Sequence, residues 1–221
     1  MMHIHTSRTT NRAPGTEGQM GSWAPYYDFI MTLMTLGRER ALRQMTVELA
    51  GVKPGDRVLE VGCGTGSLSL AAKAQAGPSG TVHGIDAAPE MVEVARRKAA
   101  RLGTDVDFKA GLIQDIPFSK AQFDVVLCSF MIFHMPDDVR REGFREIARV
   151  LKPGGQVVIV DSASPDQLPQ RSLSRWLASS TAQHALEELR PMMREAGLVE
   201  IETGLTRFKL IGFARGKARS I

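Results

Sequence analysis

A chain of 221 residues, 43% hydrophobic and 24% charged, is long enough for one α/β domain with a real core and short for two. Its net charge of +4 is scattered. Arg96-Arg97-Lys98 and the stretch from Arg215 to Arg219 are too short for the clustered basic stripe of a nucleic-acid binder. Two cysteines, Cys63 and Cys128, lack a CxxC or histidine-rich neighbourhood, which excludes a disulfide framework or a metal site and fits a cytoplasmic protein; no apolar run nears the roughly 18 residues that span a bilayer.

Residues 1–22 are polar and without periodicity, and are expected to form a mobile N-terminal tail. A single domain is expected over 23–221. Between 23 and 50, Ile30, Leu33, Met34, Leu36, Leu42, Met45 and Leu49 recur at helical spacing, with Gly37 between two helices. This stretch reads as a helical lid. Short apolar strands then alternate with helices. Strands are predicted over 57–61, 81–85, 106–109, 123–129 and 156–161, and helices over 67–76, 89–102 and 138–151. Val125-Val126-Leu127 and Val157-Val158-Ile159-Val160 are unbroken apolar runs, as in strands covered on both faces. A helix over 186–196 and a strand pair over 199–203 and 208–214 close the chain. The expected fold is α/β: a seven-stranded, mostly parallel sheet with an antiparallel last strand, helices on both faces and the N-terminal helical lid.

The segment Glu60-Val61-Gly62-Cys63-Gly64-Thr65-Gly66 leaves the first strand and enters a helix. Glycines permit left-handed backbone and close approach of a small ligand. The loop is expected to offer amides at a helix N-terminus. A dinucleotide loop wants G-x-G-x-x-G, whereas these glycines form G-x-G-x-G behind the acidic Glu60. A carboxylate there repels a pyrophosphate but suits the ammonium of an amino-acid moiety. That favours S-adenosylmethionine (SAM) over NAD. Asp86, at the end of the second strand, can accept both ribose hydroxyls of either cofactor.

These motifs resemble the class I SAM-dependent methyltransferases, and within them the ubiquinone/menaquinone C-methyltransferase-like group. Val58–Gly66, His83–Asp86, Pro89–Arg96, the stretch from Asp115-Ile116-Pro117-Phe118 to Val126, and Arg149–Gly155 carry the likeness, which covers about Tyr26 to Ala214. The resemblance implies a Rossmann-like fold, SAM as cofactor and S-adenosylhomocysteine (SAH) as product. It implies cofactor contacts at Tyr27, Glu60, Gly62, Cys63, Gly64, Gly66, Asp86, Ala87, Met91, Leu112, Ile113 and Ser129. The group commonly has an acid just after the glycine of the third-strand loop; here Gly111 is followed by Leu112 and Ile113. Apolar contact with the adenine is expected instead. His134, after the fourth strand, is the candidate base, with helix capping or packing as its alternative.

The expected chemistry is in-line methyl transfer to a small-molecule or lipid-like acceptor. The stretch 165–185 is expected to form a substrate-side insertion. A catalytically silent SAM-binding protein or partner subunit is the alternative, and an NAD-dependent oxidoreductase is disfavoured by the loop. Arg38, Arg40 and Arg43 flank apolar residues, as peripheral membrane contact would require.

Overall fold

The computed structural model describes residues 37–162, 186–208 and 211–220. The expected tail, most of the lid with Tyr26 and Tyr27, and the 165–185 insertion lie outside the described residues.

In chain order the elements are α1 (Glu39–Leu49), β1 (Arg57–Val61), α2 (Ser67–Ala76), β2 (Thr81–Asp86), α3 (Pro89–Leu102), β3 (Asp107–Ala110), β4 (Phe123–Ser129), α4 (Asp137–Val150), β5 (Leu151–Ser162), α5 (186–195), β6 (Leu198–Leu205) and β7 (Ile211–Ala218). Local sequence explains several boundaries. Pro89 starts α3, Glu90 and Arg101 complement its dipole at either end, and Gly103 closes it in left-handed geometry.

The strands form one sheet in the order β3-β2-β1-β4-β5-β7-β6. β7 is antiparallel to both its neighbours, and the other pairings are parallel. The chain winds outward from β1 to β3, then crosses back to β4 on the other side of β1. The switch point therefore lies between the carboxyl ends of β1 and β4, where open sheets of this kind bind ligands.

Alternate residues of the central strands feed two cores. Leu59, Val61, Val126, Val157 and Ile159 pack with α4 and α5. Val58, Val82, Val125, Leu127 and Val158 pack with α1 and α2. α3 packs on α2's side, its Val92 and Ala95 clustering with Phe108 of β3. The expected two-sided covering is present.

Two strands differ from their expected bounds by more than two residues. β5 begins directly at the end of α4, five residues before 156. Phe123 pairs with Leu151 and Val125 with Gln156, so Lys152-Pro153-Gly154-Gly155 is accommodated by a shift of register. Pro and Gly are residues that strand interiors disfavour, so the stretch carries no strand signal in the sequence. β7 starts at Ile211, because Phe208 belongs to the turn that Thr206 closes onto the Ile211 carbonyl at 2.7 Å. Its second half alternates Arg215 and Lys217 with Gly216 and Ala218, a pattern whose buried face is too small to register as apolar.

Candidate functional site

Asp86 and Ser129 end β2 and β4, and Glu60 stands one residue before the end of β1. Strand alternation puts Glu60 and Ser129 on the face covered by α1 and α2, on either side of the switch point.

Glu60 is 1% exposed and accepts a hydrogen bond from Ser69 Oγ on the first turn of α2. Burial pushes its carboxyl up to about 7, against the opposing pull of the Ser69 hydroxyl and the Arg43 charge. Asp86 is held in a fixed orientation. Its Oδ2 accepts from the Gly64 amide at 2.8 Å and its Oδ1 from the Ala88 amide at 2.9 Å. Partial burial raises its pKa above the ordinary carboxylate value. Both oxygens keep a further lone pair for a diol.

Four amides of the glycine loop are taken up within the protein rather than turned to a ligand. Gly62 and Cys63 both donate to the Ile85 carbonyl, at 2.8 and 2.9 Å; Gly64 donates to Asp86, and Gly66 to Cys63 O at 2.8 Å. With these four N–H groups taken up internally and Glu60 at its base, the loop is no phosphate cradle. The glycines serve backbone shape and packing. Gly62 and Gly66 have φ of +72° and +78°. A Cβ at Gly62 would lie 2.8 Å from Met131 Cγ, and one at Gly66 would lie 2.6 Å from Phe108 Cζ. Cys63 turns its side chain into the α3 core, where burial drives its thiol pKa upward and keeps it protonated.

The remaining candidates separate by burial. Leu112 is 38% exposed, on the stretch where the Gly111 amide bonds the Asp86 carbonyl at 3.0 Å. Ile113 is buried in the α4–α5 core, and a Cβ on Gly143 would meet it at 2.6 Å. Of the two, Leu112 is the side chain left available for an adenine face. Ala87 is exposed beside Asp86, and Met91 is buried in the first turn of α3. Beyond Ser129, Phe130 adopts a left-handed φ of +55°, strained for a residue with a bulky side chain, and donates its amide to the Val160 carbonyl at 3.0 Å. His134 closes a short 3-10 turn, Ile132–His134, and is exposed.

Two residues of the site escaped sequence reasoning. Asp161, 1% exposed, accepts from the Ile132 and Phe133 amides at 3.1 and 3.4 Å, and burial pushes it up to about 6. It fixes the turn that carries His134. An acid ending an otherwise apolar strand was the signal. Arg43 is 7% exposed and its Nη1 donates to Ser129 Oγ at 3.1 Å. Its position in the run Leu42, Arg43, Thr46, Val47 on the buried face of α1 was the signal there. Burial removes it from the expected membrane-facing arginines.

These residues fit an adenosyl amino acid: a fixed carboxylate for the ribose, an exposed apolar side chain for the adenine, and a buried acid with a buried base beside it for the zwitterionic end. Among the described residues no group of His, Cys, Asp and Glu could hold a metal ion, and no helix is long and apolar enough to cross a membrane.

Known proteins agree. Residues 58–155 match the family described as a methyltransferase domain. The chain is 32% identical over 160 residues to the ubiquinone/menaquinone biosynthesis C-methyltransferase UbiE of Geotalea daltonii, covering 72% of this chain and 67% of that protein. It is 32% identical over 173 residues to a 2-phytyl-1,4-naphtoquinone methyltransferase of Synechococcus elongatus, covering 75% and 73%. A SAM-dependent methyltransferase from Aquifex aeolicus shares the fold, with a TM-score of 0.68 at 22% identity, covering 90% of this chain and 98% of that one. The chain belongs to the class I SAM-dependent methyltransferases, in the quinone C-methyltransferase group. The silent-binder and oxidoreductase alternatives are set aside.

Proposed function

We propose that the chain methylates a ring carbon of a small quinol-like acceptor. The likeness to enzymes named for ubiquinone, menaquinone and phytyl-naphthoquinone methylation carries this reading.

SAM supplies an electrophilic methyl group on a sulfonium whose departure leaves a neutral thioether. The protein's residues then have to bind, orient and exclude water. Asp86, pinned by two amides, orients the ribose. Glu60 faces the ammonium, and Leu112 offers apolar surface to the adenine. Ser129 and the Phe130–His134 stretch border the space between β1 and β4 where the acceptor meets the methyl group. Met131 packs over Gly62, and Asp161 holds the backbone of the following turn. Positioning of this kind can supply on the order of 7–11 kcal/mol. A quinol ring carbon becomes nucleophilic when a ring hydroxyl loses its proton. His134, exposed on its turn, is the residue proposed to take that proton; once the methyl group has joined the ring carbon, the hydrogen on that carbon leaves as a proton and the ring oxygen is protonated again, which restores the aromatic quinol.

The test is incubation with methyl-labelled SAM and three acceptors: a reduced naphthoquinol, phosphoethanolamine and a thiol. Mass spectrometry is expected to find the label on the quinol ring carbon. Label on the amine or thiol alone would overturn the acceptor assignment.

A further inference from the structure

Arg43 has more hydrogen-bonding capacity than its surroundings use. The side chain lies on the inner face of α1, against the carboxyl ends of β1 and β4. Nη1 donates to Ser129 Oγ, Nη2 lies 3.5 Å from Glu39 Oε1, and the guanidinium sits 5.8 Å from the centroid of the Phe130 ring. Nε is shut away from solvent and has no acceptor among the described residues. A buried donor left unmatched is a cost that folded proteins rarely carry without a reason.

Arg43 is not simply the counter-ion of Glu60. Glu60 is hydrogen-bonded to Ser69, whereas Arg43 is hydrogen-bonded to Ser129 and ion-paired with Glu39. A carboxyl titrating near 7 is not one neutralised by a close ion pair. The two buried groups of opposite sign stand on the same face of the sheet, beside the same switch point, each bonded elsewhere.

We propose that Arg43 is a cofactor-binding residue that receives the α-carboxylate of SAM, while Glu60 faces the α-ammonium. The proposal rests on the SAM site described above. A planar guanidinium matches a carboxylate in geometry and charge, and hydrogen bonds between charged groups are among the strongest available to a buried site. One carbon of the cofactor carries both charges, and the protein presents a buried acid and a buried base for them. α1 would then contribute directly to the cofactor site.

The test is isothermal titration of three ligands into wild type, Arg43→Gln and Arg43→Lys: SAH, its decarboxylated analogue that keeps the amine, and 5′-methylthioadenosine. Arg43→Gln is expected to weaken SAH about tenfold or more, with the decarboxylated analogue and 5′-methylthioadenosine unchanged within about twofold. Arg43→Lys should recover part of the SAH affinity. Loss of all three ligands in parallel by both variants would make Arg43 a structural residue and overturn the proposal. So would a wild type that binds SAH no more tightly than the decarboxylated analogue. Wild type that binds none of the three would instead sink the SAM site itself.

Discussion

Ser69 Oγ donates to the Glu60 carboxylate, tying the first turn of α2 to the end of β1 inside the protein. The hydrogen bond stabilises the charged form, yet burial outweighs it and Glu60 titrates at about 7. Bringing a cofactor ammonium next to Glu60 favours ionisation, so binding should release a proton wherever Glu60 is still protonated. SAH affinity is therefore expected to rise with pH from about 6 to about 8 and then level off. Titrations in buffers of different ionisation enthalpy should show the proton release. Glu60→Gln should flatten the profile; an unchanged slope in that variant would remove Glu60 from the ammonium site.

The same shift has a consequence for stability. A carboxyl whose pKa is raised on folding binds more protons in the native state than in the unfolded one. Stability then falls as pH rises from about 4.5 to about 7 and stays lowered above that. The neutral Glu60→Gln variant avoids this loss. It is expected to melt above wild type at pH 8 without ligand, with the difference vanishing near pH 4.5. Calorimetric melts at the two pH values check it, and a lower melting temperature for the variant at pH 8 would contradict it.

Gly66→Ala should cost about 3 kcal/mol of stability, because φ is +78° and the new Cβ would sit 2.6 Å from Phe108 Cζ. Phe108→Leu in the same chain should relieve part of that cost. Urea unfolding of the single and double variants is the measurement, and simple additivity would count against the steric explanation.

Asp161→Asn replaces one acceptor oxygen by a donor at a site that receives the Ile132, Phe133 and Ser162 amides. It is expected to cost about 1–3 kcal/mol. Hydrogen exchange at Ile132 and Phe133 should speed up relative to the rest of the sheet. Unchanged exchange there would show that the turn does not depend on Asp161.

Much of the fold was legible because short unbroken apolar runs alternate with helical stretches along this chain. The bounds of β1, α2, α3 and β4 follow from the residues alone. β5 and β7 were misjudged at their ends for a physical reason: Pro153, Gly154 and Gly155 lie within a strand, and β7 buries glycine and alanine rather than branched side chains. The cofactor class was legible from the glycine spacing together with Glu60 and Asp86. Which loop atoms do the work was not. The amides of Gly62, Cys63, Gly64 and Gly66 are bonded to Ile85, Asp86 and Cys63, a fact of tertiary pairing that no spacing encodes. Arg43 escaped for a similar reason, since charged residues on a helix default to solvent and only the packed structure shows this one against Ser129.

The central claim is that acids at the ends of adjacent strands hold SAM, and Asp86 tests it most directly. SAH should bind wild type at one per chain by isothermal titration. Asp86→Ala removes the ribose acceptors and the anchor of the Gly64 amide, and should weaken binding about a hundredfold. Undiminished SAH affinity in Asp86→Ala, with the variant folded, would contradict the claim.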